Sequence, residues 1–125
     1  MHQIMIARAY EDLNEFEGKK ILVDRLWPRG KKKEDLKLDL WEKDIAPSTK
    51  LRKAFNHNEE DFPEFKAQYL VELKENPETD KFLATLTDYL KTEDVMLVYG
   101  AKSTEFNNAI VLKQWLEQKL GKKYT

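Results

Sequence analysis

The sequence predicts an α/β protein, a small layered domain in which helices flank a short, mainly parallel central sheet. Three short apolar or β-branched segments bounded by turn residues are typical of strands, at residues 4–10, 20–26 and 95–99. The second and third contain the unbroken apolar runs ILV and VMLVY, which suit strands that are covered on both faces. Helical segments join the second strand to the third, and this connection favours a parallel pair with a right-handed crossover.

Four segments with apolar residues at helical spacing predict helices. Ser48 is a good N-cap for the first, Pro63 suits the first turn of the second, and Gly121 is the expected C-cap of the fourth. The predicted helices cover residues 48–55, 61–76, 79–90 and 104–121. Between the second strand and the first helix, LKLDLWEKDIAP contains aspartates and a proline, so we expect an extended, partly buried connection.

Length and composition restrict the function classes. A chain of 125 residues suits one domain, expected over residues 1–125, and can bury a core without disulfides. The absence of cysteine excludes disulfides, thiol nucleophiles and thiolate metal sites. A net charge of −1 gives no bulk attraction to nucleic acid or to anionic membranes. No apolar run approaches the roughly 20 residues of a membrane span and no signal-peptide pattern begins the chain, so we expect a cytoplasmic protein without a membrane partner.

Two polar segments follow predicted strands, VDRLWPRG at residues 23–30 and YGAKSTEFNN at residues 99–108. In open α/β sheets, ligands bind beyond the carboxyl ends of the strands. If the two strands are neighbours, the segments face each other and form a pocket for a small anion, where arginine forks hold two oxygens at once. The side chains predicted to bind this ligand are Arg25, Trp27, Arg29, Arg52, Tyr69, Tyr99, Lys102 and Asn107.

A structural interpretation of the same residues stays open. Arg25 can pair with Asp24, Asp44 or Glu72, Trp27 can belong to the core, and the basic run at residues 29–33 can be solvated surface. In the ligand-binding interpretation, Asp24 and Glu72 instead support the side chains that touch the ligand.

Catalytic candidates are few. Asp44, Ser48 and His57 have the residue types of an acyl-transfer triad, but no nucleophile elbow accompanies them, and His57 suits a cap at the end of a helix. Asp24, Asp39 and Asp44 match no metal-ligand spacing. We therefore expect no metal and no cofactor.

Four strings in this order carry a resemblance that covers the chain from Arg8 to about Leu116: ILVDRLWPRG, LDLWEKDIAPSTKLRKAFNHN, EFKAQYLVEL and MLVYGAKSTEFNNAIVL. The chain resembles the YeaO-like branch of domain-of-unknown-function family 488. This resemblance implies a compact, generally cytoplasmic α/β protein from a bacterium or an archaeon, in a family without an assigned activity. The motif positions of the family fall on Asp24, Arg25, Trp27, Pro28, Arg29, Gly30, Trp41, Asp44, Ala46, Pro47, Ser48, Leu51, Arg52, Phe55, His57, Tyr69 and Glu72.

The last string departs from the family pattern, which often has aspartate at position 103 and histidine at position 108, where this chain has Ser103 and Asn108. This departure favours binding over acid–base catalysis by the loop. The first hypothesis is therefore a protein that binds a phosphate-bearing or nucleotide-like anion, with a hydrolase or transferase activity as an extension. The alternative is a non-catalytic regulatory or interaction module. Nucleic-acid binding through residues 29–33 is the weakest hypothesis, because the net charge is near zero.

Overall fold

The computed structural model describes residues 2–55 and 58–124, with side chains described as far as residue 121. Within these ranges the strands are β1 (Ile4–Arg8), β2 (Lys19–Leu22), β3 (Leu40–Trp41) and β4 (Val95–Tyr99). The helices are α1 (Lys33–Leu36), α2 (Thr49–Ala54), α3 (Phe62–Glu75), α4 (Thr79–Leu90) and α5 (Asn108–Tyr124), with a 3-10 turn at Lys43–Ile45. The predicted α/β class is confirmed. None of the helices in this part of the chain is both long and apolar enough to cross a membrane.

The strands form one sheet in the order β1-β4-β2-β3, and every neighbouring pair is parallel. β4 lies between β1 and β2, so Val95 is opposite Ile4 on one side and Lys19 on the other. All five residues of β4 are buried, as its unbroken apolar run indicates. Because β2 and β4 are neighbours, the polar segments that follow them meet at the carboxyl edge of the sheet.

Both faces of the sheet are covered, and this explains the apolar run at residues 21–23, in β2 and directly after it. Ile21 and Val23 pack into the larger core, which the sheet shares with α2, α3, α4 and α5. Leu22 points to the opposite face, where a smaller core includes Leu13 from the segment after β1 and Leu36 from α1. Full burial of one such side chain stabilises the fold by about 1.5–3 kcal/mol. Neither face of β2 can therefore carry a polar residue at these positions without a loss of stability.

The connection between β2 and α2 has more regular structure than the sequence predicts. Leu40 and Trp41 form the edge strand β3, which pairs with Ile21 and Leu22. Asp39 precedes this strand, and its carboxylate accepts a hydrogen bond from the Lys20 amide at 2.8 Å. The prediction was right that no central strand lies here, but it missed the edge strand because that pairing is a tertiary contact.

The predicted start and end of the last helix were wrong. Asn107 caps α5, since its side-chain oxygen accepts from the Ile110 amide at 2.9 Å. The Ser103 hydroxyl instead accepts from the Phe106 amide at 2.9 Å, which makes a separate turn before the helix. At the other end the helix continues through Gly121, which lacks the positive φ of a glycine C-cap.

Candidate functional site

A cavity of about 250 Å³ lies at the carboxyl edge of the sheet, where the segments after β1, β2 and β4 meet α2, α3 and α5. At about 30 Å³ per water molecule it has room for a small metabolite. Arg25, Arg52, Asp24 and Asn108 are the charged and amide side chains among the described residues that line it. The other described lining residues are Tyr10, Leu26, Trp27, Pro28, Pro47, Phe55, Phe65, Gly100 and Ala101.

The start of α2 is fixed by Ser48 and Glu72. The Ser48 amide and hydroxyl donate to the two carboxylate oxygens of Glu72, at 2.8 and 2.6 Å. The same hydroxyl oxygen accepts from the Leu51 amide at 3.2 Å, as an N-cap does. Arg52 lies one turn further on, where its amide donates to the Ser48 carbonyl at 2.9 Å. Glu72 on α3 therefore positions the helix that carries Arg52 to the cavity.

Arg52 has an unsatisfied donor. Its Nε atom is buried, and within the described part of the chain it has no hydrogen-bond partner. Buried polar atoms in proteins almost always have a partner, so this orphaned donor on a residue that lines the cavity needs an explanation.

Arg25 is held by backbone carbonyls. Its Nε donates to the Pro47 carbonyl at 3.1 Å, and its Nη2 donates to the Ala46 carbonyl at 3.2 Å. Carbonyl oxygens carry no full charge, so Arg25 fixes the segment before α2 and still brings a positive charge to the cavity. These acceptors differ from the carboxylates of Asp24, Asp44 and Glu72 that the structural interpretation of the sequence offered.

Asp24 joins β2, β4 and α5. Its Oδ2 accepts from the Gly100 amide at 2.8 Å, and its Oδ1 accepts from the Asn108 side-chain amide at 3.0 Å. Asn108 donates to the Val23 carbonyl as well, at 3.1 Å. A Cβ atom at Gly100 would lie 3.2 Å from Asp24 Oδ2, closer than nine in ten real Cβ contacts. Glycine is therefore the residue that lets the Gly100 amide approach the carboxylate.

Aromatic rings form much of the wall. The Trp27 indole donates to the Lys31 carbonyl at 2.7 Å, and its ring meets Trp41 edge-on with 5.4 Å between the centroids. Phe55 and Phe65 are stacked, with their centroids 4.1 Å apart. The exposed Tyr10 donates from its hydroxyl to the Arg29 carbonyl at 2.9 Å. Trp27 also packs against the smaller core, while another side of its ring lines the cavity.

Both tyrosines predicted to bind the ligand are buried and lie outside the lining of the cavity. The Tyr69 hydroxyl donates to the Ile45 carbonyl at 2.7 Å. Burial, with the nearby charges of Asp24 and Glu72, raises the pKa of Tyr69 far above its ordinary value. Burial is also the largest cause of the raised pKa of Tyr99. Both phenols are therefore neutral at physiological pH.

Three other residues predicted to bind the ligand lie outside the lining of the cavity. Arg29 and Lys102 are exposed, and Arg29 takes part in the site through its backbone carbonyl. Asn107 is fully buried, where it caps α5 and donates to the Ser103 carbonyl at 3.0 Å. Arg25, Trp27 and Arg52 are the predicted ligand-binding residues that the structure brings together around the cavity.

The catalytic candidates Asp44 and Ser48 lie outside the lining of the cavity. His57 lies outside the described residues. Asp44 and Ser48 line a separate, more open groove of about 330 Å³ that also includes Glu72 and one side of Arg25. The Ser48 hydroxyl is hydrogen-bonded to Glu72. Across the described ranges, no cluster of three or more histidine, aspartate or glutamate side chains forms a metal-binding group.

Several lining residues were missed by the sequence reasoning as ligand-binding candidates. Tyr10 lies two residues after the end of β1, but its place at the cavity depends on β1 pairing with β4, which local patterns do not predict. Phe55 and Phe65 were interpreted as core residues at helical spacing, and they belong to the core while one side lines the cavity.

Comparison with known proteins places the chain in a family. Residues 3–124 match the model of the family described as the inactive DUF488-N3 subclade. The uncharacterized protein YeaO of Escherichia coli K12 is 48% identical over 113 residues, which cover 90% of this chain and 96% of that protein. The uncharacterized protein Rv3073c of Mycobacterium tuberculosis H37Rv is 36% identical over 114 residues, or 91% of this chain and 93% of that protein.

No solved structure shows a significant match to the chain. The full-length family match and the 48% identity to a YeaO protein confirm the resemblance that the sequence motifs carried. The chain therefore belongs to the DUF488 family, in its YeaO-like branch and in the subclade described as inactive.

Proposed function

We propose that this protein binds a small organic anion in the cavity between Arg25 and Arg52 and does not transform it chemically. The observation that carries the proposal is the buried Nε of Arg52, which has no partner among the described residues. An acceptor oxygen from a ligand would satisfy this donor. The cavity beside it has room for such a molecule.

The surroundings of Arg52 support a binding role. A buried donor without a partner destabilises a fold by about 1–3 kcal/mol. Ser48 and Glu72 nevertheless fix the start of the helix that holds Arg52 in this position. The second guanidinium, on Arg25, lies at the same cavity and adds to its positive charge. Two arginines at an apolar cavity attract an anion more strongly than surface charges do, because solvent screens them less.

The hydrogen bonds of the polar side chains support a protein that binds its ligand without catalysing a reaction. The Ser48 hydroxyl donates to Glu72 and its oxygen caps α2, so it is held as a structural group. Asn108 donates to Asp24 and to the Val23 carbonyl, and an amide does not exchange protons as a general base. The family is itself described as an inactive subclade. The hydrogen bonds of Ser48 and Asn108 therefore stabilise the fold around the cavity and leave neither group as a general base.

Isothermal titration calorimetry tests the proposal with benzoate, phenyl phosphate, inorganic phosphate and AMP as probes at fixed ionic strength. We expect at least one probe to bind the wild type, and we expect Arg52→Met to weaken that binding at least tenfold. Lys102→Met is the matched control, because it removes one positive charge from an exposed site outside the cavity lining. Equal weakening in both variants would show only a loss of general electrostatic attraction and would refute the proposed site.

Turnover is measured on the same samples. Incubation of the wild type with each probe that binds, followed by NMR spectroscopy, should show no product. Product formation by the wild type but not by Arg52→Met would favour the hydrolase or transferase hypothesis over a receptor.

A further inference from the structure

We infer that the ligand is an aromatic monocarboxylate, and that phosphate monoesters and nucleotides are poor ligands. This inference rests on the proposed function and specifies the ligand class of the same cavity. It follows from the charge, the wall and the volume of the site.

The charges of the lining side chains match a single negative charge. Arg25 and Arg52 contribute two positive charges, and the Asp24 carboxylate contributes one negative charge, so the described lining carries a net charge of +1. The Asp24 oxygens accept hydrogen bonds from Gly100 and Asn108, as an ionised carboxylate does. A monoanion neutralises this described part of the lining. A dianionic phosphate monoester brings one negative charge more than the described lining balances, and that charge would lie near the Asp24 carboxylate.

The donor geometry also favours a carboxylate. The Nε and one Nη of an arginine form a planar fork whose spacing fits the two oxygens of a carboxylate. In Arg25 the Nε and one Nη already donate to the carbonyls of residues 47 and 46. In Arg52 the Nε has no partner in the described part of the chain. Arg52 is therefore the arginine at the cavity whose Nε is left for a planar anionic group.

The wall is suited to an aromatic ring. Four rings line the cavity together with two prolines and one leucine, and these rigid surfaces pack well against a flat apolar group. The aromatic and proline members are Tyr10, Trp27, Phe55, Phe65, Pro28 and Pro47. Inorganic phosphate or acetate would leave this wall without a partner.

The volume of the cavity suits a small ligand. A cavity of about 250 Å³ corresponds to about eight water molecules, or roughly as many non-hydrogen atoms of a ligand. Phenylacetate is close to this size, whereas a nucleoside monophosphate has more than twice as many non-hydrogen atoms. A nucleotide would place its base or its sugar outside the cavity.

Calorimetry with a matched probe set tests the inference at pH 7.5 and fixed ionic strength. The probes are phenylacetate, acetate, phenyl phosphate and AMP. We expect phenylacetate to bind at least tenfold more tightly than each of the others. Arg52→Lys keeps the charge but removes the fork, and we expect it to weaken phenylacetate binding about tenfold, while Lys102→Met leaves it unchanged.

A change of pH tests whether the charge of the probe, rather than its shape, determines its affinity. The second pKa of a phosphate monoester is about 6. At pH 5.5 much of the phenyl phosphate is therefore a monoanion, while phenylacetate is still largely ionised. We expect the affinity for phenyl phosphate to rise severalfold between pH 7.5 and pH 5.5, toward that of phenylacetate.

The outcomes separate the two proposals. Tighter binding of phenyl phosphate or AMP than of phenylacetate at pH 7.5, with loss of binding in Arg52→Met, would overturn the inference and leave the anion site intact. Equal binding of acetate and phenylacetate would overturn the role of the aromatic wall. Binding of no probe, or binding that Arg52→Met does not weaken, would refute the proposed function itself.

Discussion

Substituting methionine for the two cavity arginines should change stability in opposite directions. Arg52→Met removes a buried donor that has no partner in the described part of the chain, and methionine retains much of the side-chain length and apolar surface. Arg25→Met instead removes the donors to the carbonyls of Ala46 and Pro47. We expect the first variant to be more stable than the wild type without ligand, and the second to be less stable.

The magnitudes follow from hydrogen-bond energetics. Relief of one buried, unsatisfied donor is worth about 1–3 kcal/mol. Unfolding entropy is about 2.1 cal/mol/K per residue, so for 125 residues each kcal/mol corresponds to about 4 °C in melting temperature. Arg52→Met should therefore melt about 4–12 °C higher than the wild type. Arg25→Met leaves two carbonyls without their donor and should lose a similar amount.

Chemical denaturation and calorimetry measure both variants in a zwitterionic buffer without added phosphate, sulfate or carboxylate, because a bound anion would stabilise the wild type. An unchanged slope of unfolding free energy against urea concentration is needed to assign the effect to stability. Lys102→Met again serves as the surface control and should stay within about 0.5 kcal/mol of the wild type. If Arg52→Met lowers the unfolding free energy by more than about 1 kcal/mol, then Arg52 is a structural residue and the basis of the anion site is lost.

Three further predictions concern groups near the site. Burial is the main cause of the raised pKa of Glu42, so ionised Glu42 destabilises the folded protein when the pH is above the ordinary pKa of 4.5. Glu42→Gln should therefore raise the melting temperature at pH 7, and the difference between variant and wild type should disappear below about pH 4. A benefit that persists at low pH would contradict this cause. Gly100→Ala places a Cβ 3.2 Å from Asp24 Oδ2 and should lower the unfolding free energy by about 1 kcal/mol, as the urea midpoint reports. Tyr69→Phe leaves the Ile45 carbonyl without its donor and should cost about 1–3 kcal/mol in thermal unfolding, without changing phenylacetate affinity in calorimetry; a tenfold loss of affinity would restore its predicted ligand role.

Strands buried on both faces were the most predictable part of the fold. The predicted strand at residues 95–99 matches β4 residue for residue, because five apolar residues are bounded by Asp94 and Gly100. β3 was missed because two residues carry no periodicity, and their pairing with β2 is set by the fold. For α5, the segment at residues 103–108 contains four side chains suited to an N-cap, those of Ser103, Thr104, Asn107 and Asn108. Local preference did not decide that Asn107 caps the helix and that Ser103 closes a separate turn.

The sequence predicted where the cavity lies but not which side chains line it. The rule for the carboxyl ends of parallel strands identified the meeting of residues 23–30 with residues 99–108, and the pairing of β2 with β4 bears it out. Charge alone did not separate Arg25 and Arg52 from Arg29 and Lys102. That separation depends on which side chains face the cavity, and this is a property of contacts between residues distant in sequence.

The motif VDRLWPRG shows why its structural and ligand-binding interpretations are compatible. Its members bond to different elements: Asp24 to Gly100 after β4, Arg25 to Ala46 and Pro47 before α2, and Trp27 to Lys31 before α1. These hydrogen bonds hold the walls of the cavity in place. A variant of the motif should therefore lose stability together with any ligand affinity, because the walls move. Arg52 comes from a different element and should be the residue whose substitution separates the two properties, with affinity lost and stability gained.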